Sequence, residues 1–189
     1  MKAPKRPVYL VSGDTNIRPA DVNLRRSGRK VRYDTKVDIQ ASRALTPGRP
    51  YVVVAHGTRT GIVTLYRSDI GRSRDWLWAG MSTPPRGVRF YLYACYGGLT
   101  LPARLKGCEC AGHVGEVPMP TLASKREVLR FLGQVDRYMT AATWDSKGVR
   151  RALARHVNDR LAAEADKGTD IGSIAALLVL RRSLGNIDE

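Results

Sequence analysis

Residues 51–58 read YVVVAHGT, and residues 88–98 read VRFYLYACYGG. Each is a run of β-branched, aromatic and aliphatic side chains without polar alternation, the pattern of a strand buried on both faces of a parallel sheet. Each run stops at one reactive side chain, His56 in the first and Cys95 in the second, with glycine close behind. A chain with three cysteines and three histidines places one of each at the tip of a buried strand.

Working outward, PVYLVS (7–12) is a short apolar run closed by Gly13-Asp14 and predicts a first strand. Residues 14–36 are polar, basic and broken by Pro19 and Gly28, and read as a long loop with at most a short strand or turn. A helical turn or two over 37–46 ends at Pro47-Gly48. GTRTGIVTLYRS (57–68) alternates around Gly61 and predicts a hairpin. DIGRSRDWLWAG (69–80) reads as a capped helix closed by Gly80. A helix is expected after Gly97-Gly98 with Pro102 in its first turn, then a strand within 107–117. Helices follow over 124–139, 147–166 and 170–184. Strands alternating with helices predict an α/β fold: a three-layer sandwich whose central sheet is mostly parallel and flanked by helices. The chain reads as one domain, 1–189, with a helical C-terminal part.

The chain carries 32 Lys+Arg against 17 Asp+Glu, a net charge of +15, and its pI is near 10.3. Such a field attracts nucleic acid, polyphosphate or an acidic protein partner. The clusters (Arg25-Arg26, Arg29-Lys30 and Arg32; Arg150-Arg151 and Arg155; Arg181-Arg182) lack the interleaved aromatics of a single-strand binding surface. A solvated basic surface, compatible with an Arg-rich bacterial or phage proteome, is the competing reading. No apolar run approaches the roughly 18 residues of a membrane span, and the apolar part of MKAPKRPVYLVSG is too short for a secretory signal. An odd number of cysteines argues against a disulfide framework, so a cytoplasmic, reduced protein is expected. No motif calls for a cofactor.

In parallel sheets, reactive groups gather beyond the carboxyl ends of the strands. Neighbouring strands lie about 4.8 Å apart, so the tips bearing His56 and Cys95 come within side-chain reach if their strands are adjacent. An imidazole there can take the thiol proton during attack. Gly57 lets the backbone approach a substrate carbonyl closely, and its N–H with that of Cys95 can form an oxyanion hole. Ordinary packing competes with this reading, since cysteine is among the most buried residue types.

A strand ending in His-Gly, a hairpin, a helix and a strand ending in Ala-Cys-x-Gly-Gly resembles the caspase-like cysteine peptidases: caspases, metacaspases, legumains, gingipains, separases and CHAT peptidases. VVVAHGT and LYACYGG carry the resemblance, which extends over roughly residues 7–165 although its specific motifs occupy few positions. SKGVRRALARHVNDRL is similar to the helices that finish the CHAT domain. The resemblance implies a cysteine endopeptidase acting on protein substrates or on itself, with Cys95 as nucleophile, His56 as general base and acid, and Gly57 and Cys95 supplying the oxyanion-hole amides. It also implies a charged first specificity pocket drawn from the stretch after the first strand, where Asp14, Arg18 and Asp21 lie, with Glu116 a further candidate. An Arg there selects an acidic residue before the scissile bond and an acid selects a basic one. A catalytically inactive scaffold of the same fold, and a polyanion binder without catalysis, are the alternatives.

GCECAGH (107–113) has the residue types of a zinc site, but Cys108 and Cys110 are too closely spaced for a ligand pair, and on a strand His113 faces the other way. No metal is expected. His156, on an apolar-periodic helix, reads as a core or boundary residue, as do Trp76, Trp78 and Trp144, the last with a groove-lining alternative.

Overall fold

A computed structural model describes residues 5–12, 17–34, 45–57, 59, 62–65, 73–75, 86–99, 107–119, 124–141, 144–167 and 170–185. The apolar runs become the strands of a five-stranded sheet: β1 (Val8–Ser12), β2 (Lys30–Asp34), β3 (Pro50–Val54), β7 (Arg89–Tyr93) and β8 (Glu109–Gly112), in the order β2-β1-β3-β7-β8. Every pairing in it is parallel. Three shorter strands, β4 (His56–Gly57), β5 (Ile62–Leu65) and β6 (Ser73–Asp75), form a separate antiparallel sheet directly after β3. The described helices are α1 (Arg18–Arg26), α2 (Lys125–Met139), α3 (Ser146–Ala165) and α4 (Ile171–Ser183).

The pleat sorts the strand side chains into two cores. Tyr9, Val11, Val52, Val54, Tyr91 and Tyr93 pack with residues of all four helices, including Leu24, Phe131, Leu153 and Leu180. Their sequence neighbours Val8, Leu10, Tyr51, Val53, Phe90 and Leu92 form the opposite core with Leu45 and Cys110. The protein is therefore α/β, with a parallel sheet buried on both faces and the four described helices on one of them, consistent with a three-layer sandwich. Among the described residues, no helix is long and apolar enough to cross a membrane.

The stretch expected to be a loop with at most a short strand or turn, 14–36, holds the short strand β2 but also a helix, α1. Pro19 sits in the first turn of α1, where a missing N–H costs nothing, so it starts the helix rather than breaking it. Gly28 takes φ +78° just past the last turn, a left-handed helix stop that glycine adopts without steric cost. The helix expected over 69–80 is also corrected: Ser73–Asp75 is a strand paired with β5, since its short alternation finds a ladder partner that a local periodicity argument ignores. The rest of that segment, with Trp76 and Trp78, lies outside the described residues, as do residues 37–44 and Pro102. The chain is helical already at Gly97–Leu99.

Helix ends follow their caps. The Asp145 carboxylate accepts from the N–H groups of Lys147 and Gly148 at 3.1 and 2.7 Å, and Asp170 accepts from Gly172 N–H at 3.0 Å, removing orphan donors. Between α2, α3 and α4, the buried carboxylate of Glu127 receives Arg126, Arg130 and Arg160. The guanidinium groups hold Glu127 below the ordinary carboxylate range against the opposing effect of burial.

Candidate active site

β3 and β7 are neighbours, with Val54 opposite Tyr93. Beyond that pair Ala55 N–H reaches Tyr93 O at 3.4 Å. The ladder ends there, and the chain leaves the parallel sheet. His56 then opens β4, which turns back against β5 with His56 opposite Val63 and Gly57 opposite Ile62. The hairpin expected after His-Gly is thus present.

The closest approach is at Gly57. A Cβ at this position would lie 1.9 Å from the carbonyl oxygen of Cys95 and 2.9 Å from its carbonyl carbon and nitrogen. Gly57 therefore packs directly on the Cys95 peptide, and only a residue without a side chain permits it. The segment bearing His56 is held against the segment bearing Cys95 by backbone contact.

The turn after β7 is tight. Tyr96, immediately after the thiol, has φ +58° and is the only non-glycine with positive φ among the described residues. Strain of this kind gathers where neighbouring structure imposes it, at functional turns above all. Here Tyr96 N–H donates to Gly115 O at 3.0 Å, Gly97 N–H to Ala94 O at 3.1 Å and Leu99 N–H to Tyr96 O at 3.0 Å. The result is a strand-to-helix corner that starts at Cys95.

Residues 115–118 run across this corner. Besides the Gly115 bond, Val117 N–H donates to Cys95 Sγ at 3.5 Å, and Tyr93 Oη donates to Pro118 O. Cys95 is half-buried, its side chain packed on the helix-side core. Burial raises the Tyr93 phenol well above its ordinary pKa, helped by Tyr91 and Cys95, so this hydroxyl stays a donor. Behind it, His113 is fully buried between Tyr91 Oη at 3.0 Å and Ser183 Oγ at 2.6 Å. Desolvation lowers its pKa to about 3, and a neutral ring placed so deep is a structural polar link between β8, β7 and α4.

The other predicted residues fall as follows. Glu116 is exposed between Gly115 and Val117, the two residues bonded to the Tyr96–Cys95 corner. Asp21 lies on α1 and pairs with Arg25 at 2.8 Å. Arg18 opens α1, its side chain outside the described residues, and Asp14 is outside them altogether. Trp144 is the boundary residue expected: it packs on the core with Arg89 over its ring at 5.1 Å, and only the groove-lining alternative falls. Because Arg89 begins β7, Trp144 belongs to the amino edge of the sheet and does not line a groove at the carboxyl edge. Cys110 and His113 occupy opposite cores, as the alternation predicted, and no group of metal-binding side chains occurs among the described residues.

Sequence reasoning missed Arg59. From the β4–β5 turn its guanidinium lies 5.6 Å from the Tyr96 ring centre, placing a cation beside the Cys95 corner. Its signal was present in His-Gly-Thr-Arg, since a hairpin starting at the histidine must carry its tip back over the neighbouring strand end. Comparison with known protein families, curated proteins and solved structures found no match to this chain.

Proposed function

We propose that the chain is a cysteine endopeptidase of the caspase-like type. The observation that carries this reading is the packing of Gly57 on the Cys95 peptide, which sets the backbone just after His56 against that of Cys95 beyond the carboxyl ends of β3 and β7. Alternation along β3 and β7 supports it further: positions 52 and 54, like 91 and 93, face the helix-side core, against which Cys95 also packs.

In the proposed reaction Cys95 Sγ attacks the scissile carbonyl carbon while His56 takes the thiol proton. The tetrahedral oxyanion is received by the amides of Gly57 and Cys95. His56 returns the proton to the departing amine as the C–N bond breaks, leaving a thioester. Water, deprotonated by His56, adds to the thioester carbonyl; collapse releases the carboxylic acid and restores the thiol. Arg59 and Glu116 flank the corner with opposite charges and are the candidates for reading the residue before the scissile bond.

The test is a comparison of protein termini in a bacterial lysate treated with the natural protein or with Cys95→Ala. The expected result is a set of new termini sharing one residue type before the cut, lost in Cys95→Ala and in His56→Ala. No Cys95-dependent terminus, together with a Cys95 thiol alkylated no faster than free cysteine, overturns the reading in favour of an inactive scaffold.

A further inference from the structure

We infer that a second site, at the edge of the sheet opposite Cys95, binds a small anion carrying several phosphates. Lys5 and Arg6 precede β1, Arg29 and Lys30 enter β2, and Arg49 precedes β3, so the parallel order gathers all of them at the amino edge. With Arg137 near the end of α2 they line one cavity of about 830 Å³, whose only carboxylate among the described residues is Asp136. That volume is in the range of small-molecule sites, roughly 300–1,000 Å³.

The cavity has a fixed wall and unmet charge. Arg29 is immobilised: its Nε donates to Asp136 at 3.0 Å and to Tyr9 Oη at 3.1 Å, and its terminal nitrogens donate to Leu129 O at 3.2 Å and Ser27 Oγ at 2.6 Å. Tyr9 Oη in turn donates to Asp136 at 2.7 Å, so the one carboxylate is already engaged. Lys5, Lys30, Arg49 and Arg137 line the same space without an ion-pair partner among the described residues, and Arg6 adds its field to that of Arg29 at Asp136. The Nε of Arg49 is buried and has no hydrogen-bond partner among them. A buried donor left unmet costs free energy that an acceptor in the cavity would recover.

Carbonyls at and just beyond the end of α2, which would repel an anion, turn elsewhere: Met139 O and Ala141 O accept from Arg89 at 3.2 and 2.9 Å. Several cations converging from separate chain segments match several phosphate groups held close together, and guanidinium groups suit their oxygens. A concave site of this size admits a short phosphate chain or a phosphorylated metabolite, whereas a nucleic-acid duplex would meet the scattered outer charges instead.

Titration calorimetry with sodium tripolyphosphate at physiological salt tests the site. The expected result is saturable binding that weakens at least tenfold in Lys30→Gln/Arg49→Gln and less than twofold in Arg151→Gln/Arg155→Gln, which removes equal charge from the exposed face of α3. Lys5→Gln/Arg6→Gln, altering chain outside any element, makes the same prediction should the first pair not fold. ATP as a second probe separates the sources: affinity equal to tripolyphosphate identifies a phosphate chain, and tighter binding identifies a nucleoside polyphosphate. Lack of saturation, equal losses in the cavity and α3 variants, or preference for a DNA duplex would overturn the inference. Cys95→Ala is expected to bind unchanged, so this result stands apart from the peptidase test.

Discussion

Gly57→Ala is the sharpest test of the contact that joins the two strand tips. The added Cβ would stand 1.9 Å from Cys95 O, with Cys95 C and N both at 2.9 Å. Tolerable carbon–oxygen contacts begin near 3 Å, so the tips must separate by more than about 1 Å, and no flexible side chain is present to yield. Overpacking costs about 1–3 kcal/mol, and a clash between two backbones belongs at the upper end. About 3 kcal/mol lowers Tm by roughly 6–12 °C in a chain of this size. A displacement near 1 Å at reacting groups costs on the order of 10²-fold in rate, so Cys95-dependent cleavage should fall by that factor even in the folded fraction. Gly133→Ala is the control: in α2 its Cβ would meet nothing closer than Arg29 at 3.8 Å, and it should raise stability by about 0.5–1 kcal/mol. Urea unfolding followed by circular dichroism measures both. A Gly57→Ala protein within about 0.5 kcal/mol of the natural one would refute the packing argument.

Tyr96 gives a second check on the corner: Tyr96→Val, β-branched at a positive φ, should lose about 1–2 kcal/mol relative to Tyr96→Asn, which loses the same ring but tolerates that backbone, with calorimetric Tm values deciding. For His113 the folded pKa, about 3, lies below the ordinary 6.5; the unfolded chain then binds more protons between these values, and stability is lost as pH falls from 6.5 toward 3, by at most about 5 kcal/mol. His156, also lowered by burial, adds in the same direction, so the steepness of urea midpoints between pH 6.5 and 4.5 should shrink but not vanish in His113→Gln; an unchanged slope would count against a buried neutral imidazole. Glu127→Ala should cost about 3 kcal/mol by urea titration, since it leaves Arg130 without its carboxylate and Arg126 and Arg160 with Glu164 alone, whereas Glu127→Met should cost less. At the proposed site, Glu116→Gln and Arg59→Gln should change cleavage preference oppositely, the first against substrates basic before the cut and the second against acidic ones; peptide-library profiles that do not move would remove both from substrate reading.

The sequence alone determined the parallel sheet and the two residues to watch. Runs such as YVVVA and RFYLY have too few polar atoms to face water on either side, so their burial follows from composition without knowledge of neighbours. Helices α2, α3 and α4 were legible for the related reason that apolar spacing and caps are local. Missed were α1, where Pro19 and Gly28 look like loop residues until their places at a helix start and stop are known, and β6, whose pairing depends on a distant partner. Only the tertiary structure decided that β3 and β7 are adjacent, that Gly57 lies on the Cys95 peptide, that Arg59 and Glu116 flank the corner while Trp144 lies at the far edge, and that basic residues scattered from Lys5 to Arg137 converge on one cavity. Register, crossover and convergence arise from contacts between segments far apart in the chain, and no local pattern carries that information.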